Sequence, residues 1–252
     1  MKLSGNTILV TGGGSGIGRA LAHRLHDRGN TVVIAGRRQD ALDEASRGRS
    51  AISTMTLDIS DPAAIDAFAA RLISEHPALN VLLNNAGIMD FEDLTARRDL
   101  SIAEATITTN LLGPIRLTNA LIDHLAERGD GVIVNFTSGL GFVPMIDAPS
   151  YSATKAAIHS YTVSLREQVR GKAEVIELAP PAVQTGLTPG QETRPGYMPL
   201  DEFADEIMTL WQDPTPPEIL VENVQFLRNA EREGRFDETL RTLTERARKS
   251  RG

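Results

Sequence analysis

The chain has no cysteine, which excludes a disulfide scaffold, thiolate chemistry, an iron–sulfur cluster and Cys-ligated zinc. Its five histidines are scattered; only His23 and His26 stand at helix-neighbour spacing, and no His-Glu-x-x-His occurs. No metal is therefore assigned. No apolar run approaches the length that crosses a bilayer, and residues 1–10 lack a basic leader, so the expected location is the cytoplasm. Basic residues are fewer than acidic ones, leaving a formal net charge of −7. That field repels nucleic acid and anionic membranes, and an anionic ligand needs a dedicated site. Internal repeats, low-complexity blocks and a long interdomain linker are also missing. What remains is a 252-residue chain, 41% apolar and 23% charged, which fits one compact domain.

Apolar, β-branched runs at residues 7–10, 31–35, 53–58, 81–84, 131–136, 174–178 and 218–221 alternate with helical spacing. The helical segments are 16–28, 41–47, 62–75, 103–127, 152–169 and 200–211, with Asp61-Pro62 reading as an N-cap and first helical position. This alternation predicts an α/β single-domain, doubly wound Rossmann fold: a parallel seven-stranded sheet with helices on both faces. Ligands of such sheets bind beyond the carboxyl ends of the strands. The domain is expected over residues 1–228. Residues 186–199, rich in glycine and proline, read as a mobile substrate lid. Residues 229–252, dense in Arg and Glu, read as a charged, solvated helical tail.

The first strand runs into Thr11-Gly12-Gly13-Gly14-Ser15-Gly16-Ile17-Gly18 and then a helix. Glycines let a backbone approach a pyrophosphate, and the helix N-terminus receives its charge. Gly12, Ser15, Gly16, Ile17 and Gly18 are the candidate contacts. No Gly-Lys-Ser/Thr follows, so a triphosphate loop is disfavoured. At the end of the second strand, where an acid would select NAD, stand Gly36, Arg37 and Arg38. Guanidinium groups favour a 2′-phosphate, so NADP(H) is expected over NAD(H); the alternative is the exposed start of a helix. After the fourth strand, Asn85, Ala86 and Gly87 are small enough for backbone to lie against an adenosine ribose, or Gly87 simply makes a turn.

The fifth strand ends at Ser138, and thirteen residues later comes Tyr151-Ser152-Ala153-Thr154-Lys155. Tyr151 and Lys155 share a helix face. With Thr11–Gly18, Asp58, Asn84-Asn85-Ala86-Gly87, Asn110, Ser138 and residues 180–185, this pattern resembles the classical short-chain dehydrogenase/reductase family over nearly the whole chain. The stretches at 109–116 and 177–183 are similar to its DltE-type oxidoreductase subgroup, whose substrates are undefined.

Hydride transfer to a carbonyl leaves an alkoxide that needs a proton, and Tyr151 is the donor the residues offer. A phenol of pKa ~10 is protonated at neutral pH, and the cation of Lys155 favours the phenolate needed for the reverse direction. Ser138 would hydrogen-bond the substrate oxygen. The resemblance implies that Asn110 holds a water linking Lys155 to solvent and that Lys155 also binds the cofactor ribose. It further implies that Asp58 and Ile59 contact the adenine edge, while Asp58 equally suits a cap on the helix beginning at Pro62. Residues 180–185 would form the loop over the nicotinamide, with Val183 and Thr185 as contacts and Pro181 in place of the usual glycine. Gly113-Pro114, just after Asn110, predicts a break in the helical pattern. Apolar residues, among them Phe91, Phe142 and Val143, are expected to line a substrate pocket.

The reading is an NADP(H)-dependent oxidoreductase interconverting a small-molecule carbonyl and a secondary alcohol; the resemblance implies a homodimer or homotetramer on helices 103–127 and 152–169. A non-catalytic dinucleotide-binding regulator would keep the glycine motif without needing Tyr151 and Lys155. An epimerase/dehydratase of the same superfamily would require a longer chain with an added substrate domain.

Overall fold

A computed structural model describes residues 1–211 and 214–249. Seven parallel strands lie in the order β3-β2-β1-β4-β5-β6-β7: β1 (Thr7–Thr11), β2 (Thr31–Gly36), β3 (Ile52–Thr56), β4 (Leu79–Asn84), β5 (Gly131–Phe136), β6 (Ala173–Leu178) and β7 (Glu218–Ile219). The order reverses between β1 and β4, which opens the crevice in which a doubly wound sheet binds its ligand. The seventh strand is shorter than its apolar run suggests, because Val221 turns out of the sheet to begin a helix.

Strand residues alternate between two cores, which is why these strands read as nearly continuous apolar runs. Ile8 and Val10 join Val32, Ile34, Val81 and Leu83 beneath α1 (Gly16–Asp27) and α7 (Leu200–Leu210), with Phe203 and Ile207 fully buried. Leu9, Val33 and Leu82 face the opposite side, against α3 (Pro62–Glu75), α5 (Gly113–Glu127) and α6 (Pro149–Gln168). Each such leucine or valine removed from water contributes roughly 1.5–3 kcal/mol before chain entropy is counted. Asp61 caps α3 by accepting from the Ala63 and Ala64 N–H groups, with Pro62 at the first position. The short α2 (Gln39–Ser46) covers the end of β2.

The helix expected over 103–127 is three pieces. The first, α4 (Ser101–Ile107), passes through a π-helical turn, Thr108–Leu112, into α5. Pro114 has no N–H to donate to the carbonyl four residues back, that of Asn110, and Gly113 donates to Thr108 O instead.

Residues 186–199 are tied down rather than structureless. Val183 and Met198 form a bridge, Gln191 is buried, and its amide donates to Val183 O at 2.8 Å. Met198 belongs to the core beside α7. The C-terminal segment is likewise more than a solvated tail: after α8 (Glu222–Arg228), α9 (Phe236–Lys249) packs Phe236, Leu240 and Leu243 on Val143, Leu227 and Ala230. Residues 250–252 of the expected tail lie outside the described residues. No described helix is long and apolar enough to cross a membrane.

Candidate active site

The turn after β1 brings the ends of β1 and β4 together around one hydroxyl. Thr11 Oγ1 donates to Leu83 O (3.2 Å) and accepts from the Asn85 and Ala86 N–H groups (both 3.0 Å). Asn85 Nδ2 donates to Thr11 O at 2.9 Å. Its side chain therefore braces the glycine turn. Glycine is obligatory at Gly12, with φ of +67°, and at Gly18, where a Cβ would lie 2.4 Å from Gly12 O. Gly16, with φ of +51°, faces Thr185: a Cβ there would sit 3.5 Å from the Thr185 Cβ. The loop of residues 180–185 thus returns to the glycine turn, as its proposed place over a cofactor requires.

A cavity of about 150 Å³ opens beside this turn, bounded by Gly12, Ser15, Arg37, Arg38, Asp58 and Ile59, with Ala86 and Gly87 on its far side. Neither guanidinium of Arg37 and Arg38 has a hydrogen-bond or ion-pair partner among the described residues, and both residues are exposed. The Asp58 carboxylate is already engaged. Its Oδ1 accepts from Ser60 N (2.9 Å) and Ser60 Oγ (2.6 Å), and these bonds hold its pKa below the usual carboxylate value. It caps its own turn, while Asp61 caps the helix. Ile59 is buried against Gly113, where a Cβ would come within 2.8 Å of it.

At the other end of the crevice, β5 delivers Ser138 and α6 delivers Tyr151 and Lys155, all less than 9% exposed. Ser138 favours ionisation of the Tyr151 hydroxyl, but burial outweighs it, so the phenol is pushed up to about 12. Lys155 Nζ donates to Phe136 O at 2.8 Å and lies 5.6 Å from the Tyr151 ring centre. Burial brings this ammonium down to about 8. Asn110 sits in the π-helical turn, its amide spent on one residue: Oδ1 accepts from Ile88 N (2.9 Å) and Nδ2 donates to Ile88 O (2.8 Å). The side chain pins the chain after Gly87.

In the segment of residues 180–185, Pro181 is half-buried, and Gly139 N donates to Pro180 O at 2.9 Å. The Val183 carbonyl is occupied by Gln191, and Thr185 Oγ1 accepts from the same amide at 3.2 Å. Two expected pocket residues face elsewhere. Val143 is fully buried under α9, and Phe142 packs edge-on to His159 at 5.2 Å with the Arg228 guanidinium 4.9 Å from its ring centre.

Two acids escaped the sequence reading. Glu92, its side chain 2% exposed, accepts from Ser150 N and Ser150 Oγ (both 3.0 Å) and from Arg98 Nη2 (2.8 Å). Burial opposes its charge, but those three bonds prevail and its pKa is lowered. It anchors the first turn of α6 one residue before Tyr151. Glu177, the penultimate residue of β6, is fully buried and accepts from Thr137 Oγ1 at 2.8 Å and from His159. An acid inside a central parallel strand, with a histidine four residues after the lysine, was the signal available for the second.

Residues 6–195 match the short chain dehydrogenase family, and the chain belongs to it: an oxidoreductase family that binds nicotinamide dinucleotides. Within it the chain is of the DltE type, 39% identical over 239 residues to the uncharacterized oxidoreductase DltE of Bacillus subtilis (strain 168), covering 92% of this chain and 94% of that one. It is also 34% identical over 186 residues to a sulfoacetaldehyde reductase of Chromohalobacter salexigens, covering 72% and 74%. Among solved structures, a short-chain dehydrogenase of Sphingobium yanoikuyae in complex with NADPH superimposes with a TM-score of 0.77 at 27% identity, over 91% of this chain and 94% of that one.

Proposed function

We propose that the protein is an NADP(H)-dependent reductase or dehydrogenase that interconverts a small-molecule carbonyl and a secondary alcohol. The observation that carries this reading is the buried Ser138–Tyr151–Lys155 cluster at the mouth of β5. A dinucleotide-binding regulator has no use for a lysine ammonium held in a site that depresses its pKa.

The cradle fits the dinucleotide. Glycine at positions 12 and 18 lets the turn close on itself where a Cβ would strike Ala86 or Gly12 O, which leaves bare backbone beside the cavity, and the two unpaired guanidiniums on the cavity wall suit a 2′-phosphate. In this reading the glycine turn holds the pyrophosphate, Arg37 and Arg38 the 2′-phosphate, Asp58 and Ile59 the adenine edge, and Ala86 and Gly87 the adenosine ribose. Lys155 holds the nicotinamide ribose, and Val183 and Thr185 the carboxamide. The nicotinamide supplies or accepts the hydride at the carbon bearing oxygen. Ser138 orients that oxygen, and Tyr151, protonated at neutral pH, gives it the proton. Lys155, charged at neutral pH, opposes the rise of the phenol and favours the phenolate that oxidation needs. Asn110 keeps the neighbouring chain in place and holds a water that returns protons to Lys155.

Leu187, 37% exposed, and the half-buried Tyr197 would cover the substrate, while Met198 stays in the core. The carbonyl substrate is a small molecule: small ketones test the secondary-alcohol reading directly, and the sulfoacetaldehyde reductase among the relatives makes short aldehydes, which would give primary alcohols, the compounds to compare with them.

Tyr151→Phe tests the centre of the reading. NADPH oxidation over a panel of aldehydes and ketones should fall at least about a hundredfold, with NADPH affinity by calorimetry within about twofold of wild type. A variant retaining more turnover than that assigns the acid to another residue. The same reading includes a homo-oligomer on α4–α6: Ile102 (38%), Ile107 (43%) and Val163 (42%) are exposed apolar residues on those helices. Light scattering should return a dimer or tetramer mass, and a monomer at micromolar concentration would overturn that part.

A further inference from the structure

Tyr151, Lys155 and His159 recur every four residues along α6 and share a face. Tyr151 and Lys155 have roles in the reaction; His159 has none in the reading above. It lies between solvent and Glu177, its side chain 28% exposed against none for the carboxylate, with Nδ1 at 2.8 and 2.9 Å from the two oxygens. Glu177 in turn accepts from Thr137 Oγ1 at 2.8 Å, and Thr137 follows Phe136, the residue whose carbonyl takes the Lys155 ammonium. One peptide unit therefore separates the acceptor of Lys155 from the tether of a fully buried carboxylate. Ser138 is the next residue.

We propose that Glu177 and His159 are positioning residues for this site: the carboxylate fixes the Phe136–Ser138 strand end, and the imidazolium balances its charge so that it does not act on Lys155. The inference rests on the role assigned to Lys155 above.

A buried anion beside a buried ammonium raises the ammonium's pKa. Lys155 is brought well below an ordinary lysine by burial. The Glu177 hydrogen bond in turn raises His159, against desolvation. The other charges facing the imidazole divide evenly. From β7 Glu218 favours its charged form, and from α8 Arg228 disfavours it; those two are paired with each other at 2.8 and 2.9 Å. Lys155 lies one turn back on its own helix, and Arg166, further along the same helix, acts on Glu218. Phe142 fills the space between His159 and Arg228. Among the described residues His159 is thus the basic group in direct contact with Glu177, while Arg228 acts on the same carboxylate from further off.

The test uses the full chain and needs no substrate. There are four lysines, Lys2, Lys155, Lys172 and Lys249, so NMR of ε-labelled lysine follows Lys155 directly, with Lys155→Met for assignment. His159→Gln keeps a donor for Glu177 and removes the balancing charge. It should raise the Lys155 midpoint by about one pH unit. His159→Gln combined with Glu177→Gln should return that midpoint to within a few tenths of wild type. A purely structural pair would leave Lys155 unmoved in the single variant, or perturb it most in the double one, and either result overturns the proposal. Should His159→Gln fail to fold, Glu177→Gln alone decides. The His159 midpoint should then fall by about one unit while Lys155 stays in place, and an unmoved histidine overturns the charge pairing. Because the readout is the ionisation of Lys155, this outcome is separate from that of Tyr151→Phe: an active Tyr151→Phe protein would defeat the catalytic reading, and an unshifted Lys155 only the pairing.

Discussion

The two ends of the crevice are built on opposite plans. The phosphate end is made of backbone, contiguous in sequence, and wet: residues 11–18 supply N–H groups and space, while Arg37 and Arg38 stand exposed and unpaired. The chemical end is made of side chains from separate segments and nearly sealed from solvent, with the Lys155 ammonium and the supporting carboxylates bonded across the fold. Ser138 comes from the end of β5, Tyr151 and Lys155 from α6, and their supports from Glu92 and Glu177. A site that must hold a charged ligand of fixed shape is served by geometry that glycine makes cheap. A site that must shift pKa values has to exclude water, and exclusion requires burial. The first plan fails when space is taken away, and the second when a charge is left without its balance.

The difference predicts unequal responses to small substitutions, and the largest belongs to the phosphate end. Gly18→Ala would push a methyl group to 2.4 Å from Gly12 O and 2.5 Å from Asn85 Nδ2, both held in place by the β1–β4 junction. The turn has to open. NADPH affinity should fall more than about a hundredfold, or about 2.7 kcal/mol, with the chain still folded by circular dichroism. An alanine variant that binds normally would mean that the turn is looser than its contacts indicate.

Removing the exposed guanidiniums should act on one ligand only. Arg37→Ala with Arg38→Ala deletes charge-assisted bonds of roughly 1.5–3 kcal/mol, about 10- to 100-fold in NADPH affinity, while NADH affinity stays within about twofold. Calorimetry with both nucleotides checks it. Equal losses for the two would place these arginines on the pyrophosphate or in the fold rather than at a 2′-phosphate.

The contrast also explains what was legible in the sequence. The phosphate end was, because its parts are adjacent: strand, glycine turn and helix occur in order over residues 7–27, and the break at Gly113-Pro114 followed from the chemistry of proline alone. The chemical residues were legible through the spacing of Tyr151 and Lys155. Their supports were not. Glu92 lies in a loop of no period and reaches Ser150 across 58 residues, and nothing in the sequence around Asn85 points to the bond from its side-chain amide to Thr11 O. Phe142 and Val143 carried the right hydrophobicity for a pocket, but composition alone does not say which surface a side chain meets. The C-terminal helix misled in the opposite direction: its charge density suggested a solvated tail, while three residues at helical spacing, Phe236, Leu240 and Leu243, were enough to dock it.

The smallest effect concerns stability rather than activity and comes from the sealed end. Lys155 carries its charge where burial has lowered its pKa from 10.5 to about 8, so below pH 8 the folded protein bears a cost of about 3 kcal/mol that the unfolded chain does not. Because the folded value is the lower one, the cost is fully present below about pH 8 and is relieved as pH rises from there toward 10.5. Lys155→Met keeps a long, flexible side chain, removes the charge, and loses the bond to Phe136 O, worth about 1–1.5 kcal/mol. The inactive variant should therefore be more stable than wild type at pH 7 by about 1–2 kcal/mol. The gap should close, and then reverse by the value of the lost bond, as pH approaches 10.5. Urea melts at pH 7 and pH 10 measure both. A variant less stable at pH 7, or one whose difference from wild type ignores pH, would mean that the ammonium is solvated in the folded protein and that the chemical end is no drier than the phosphate end.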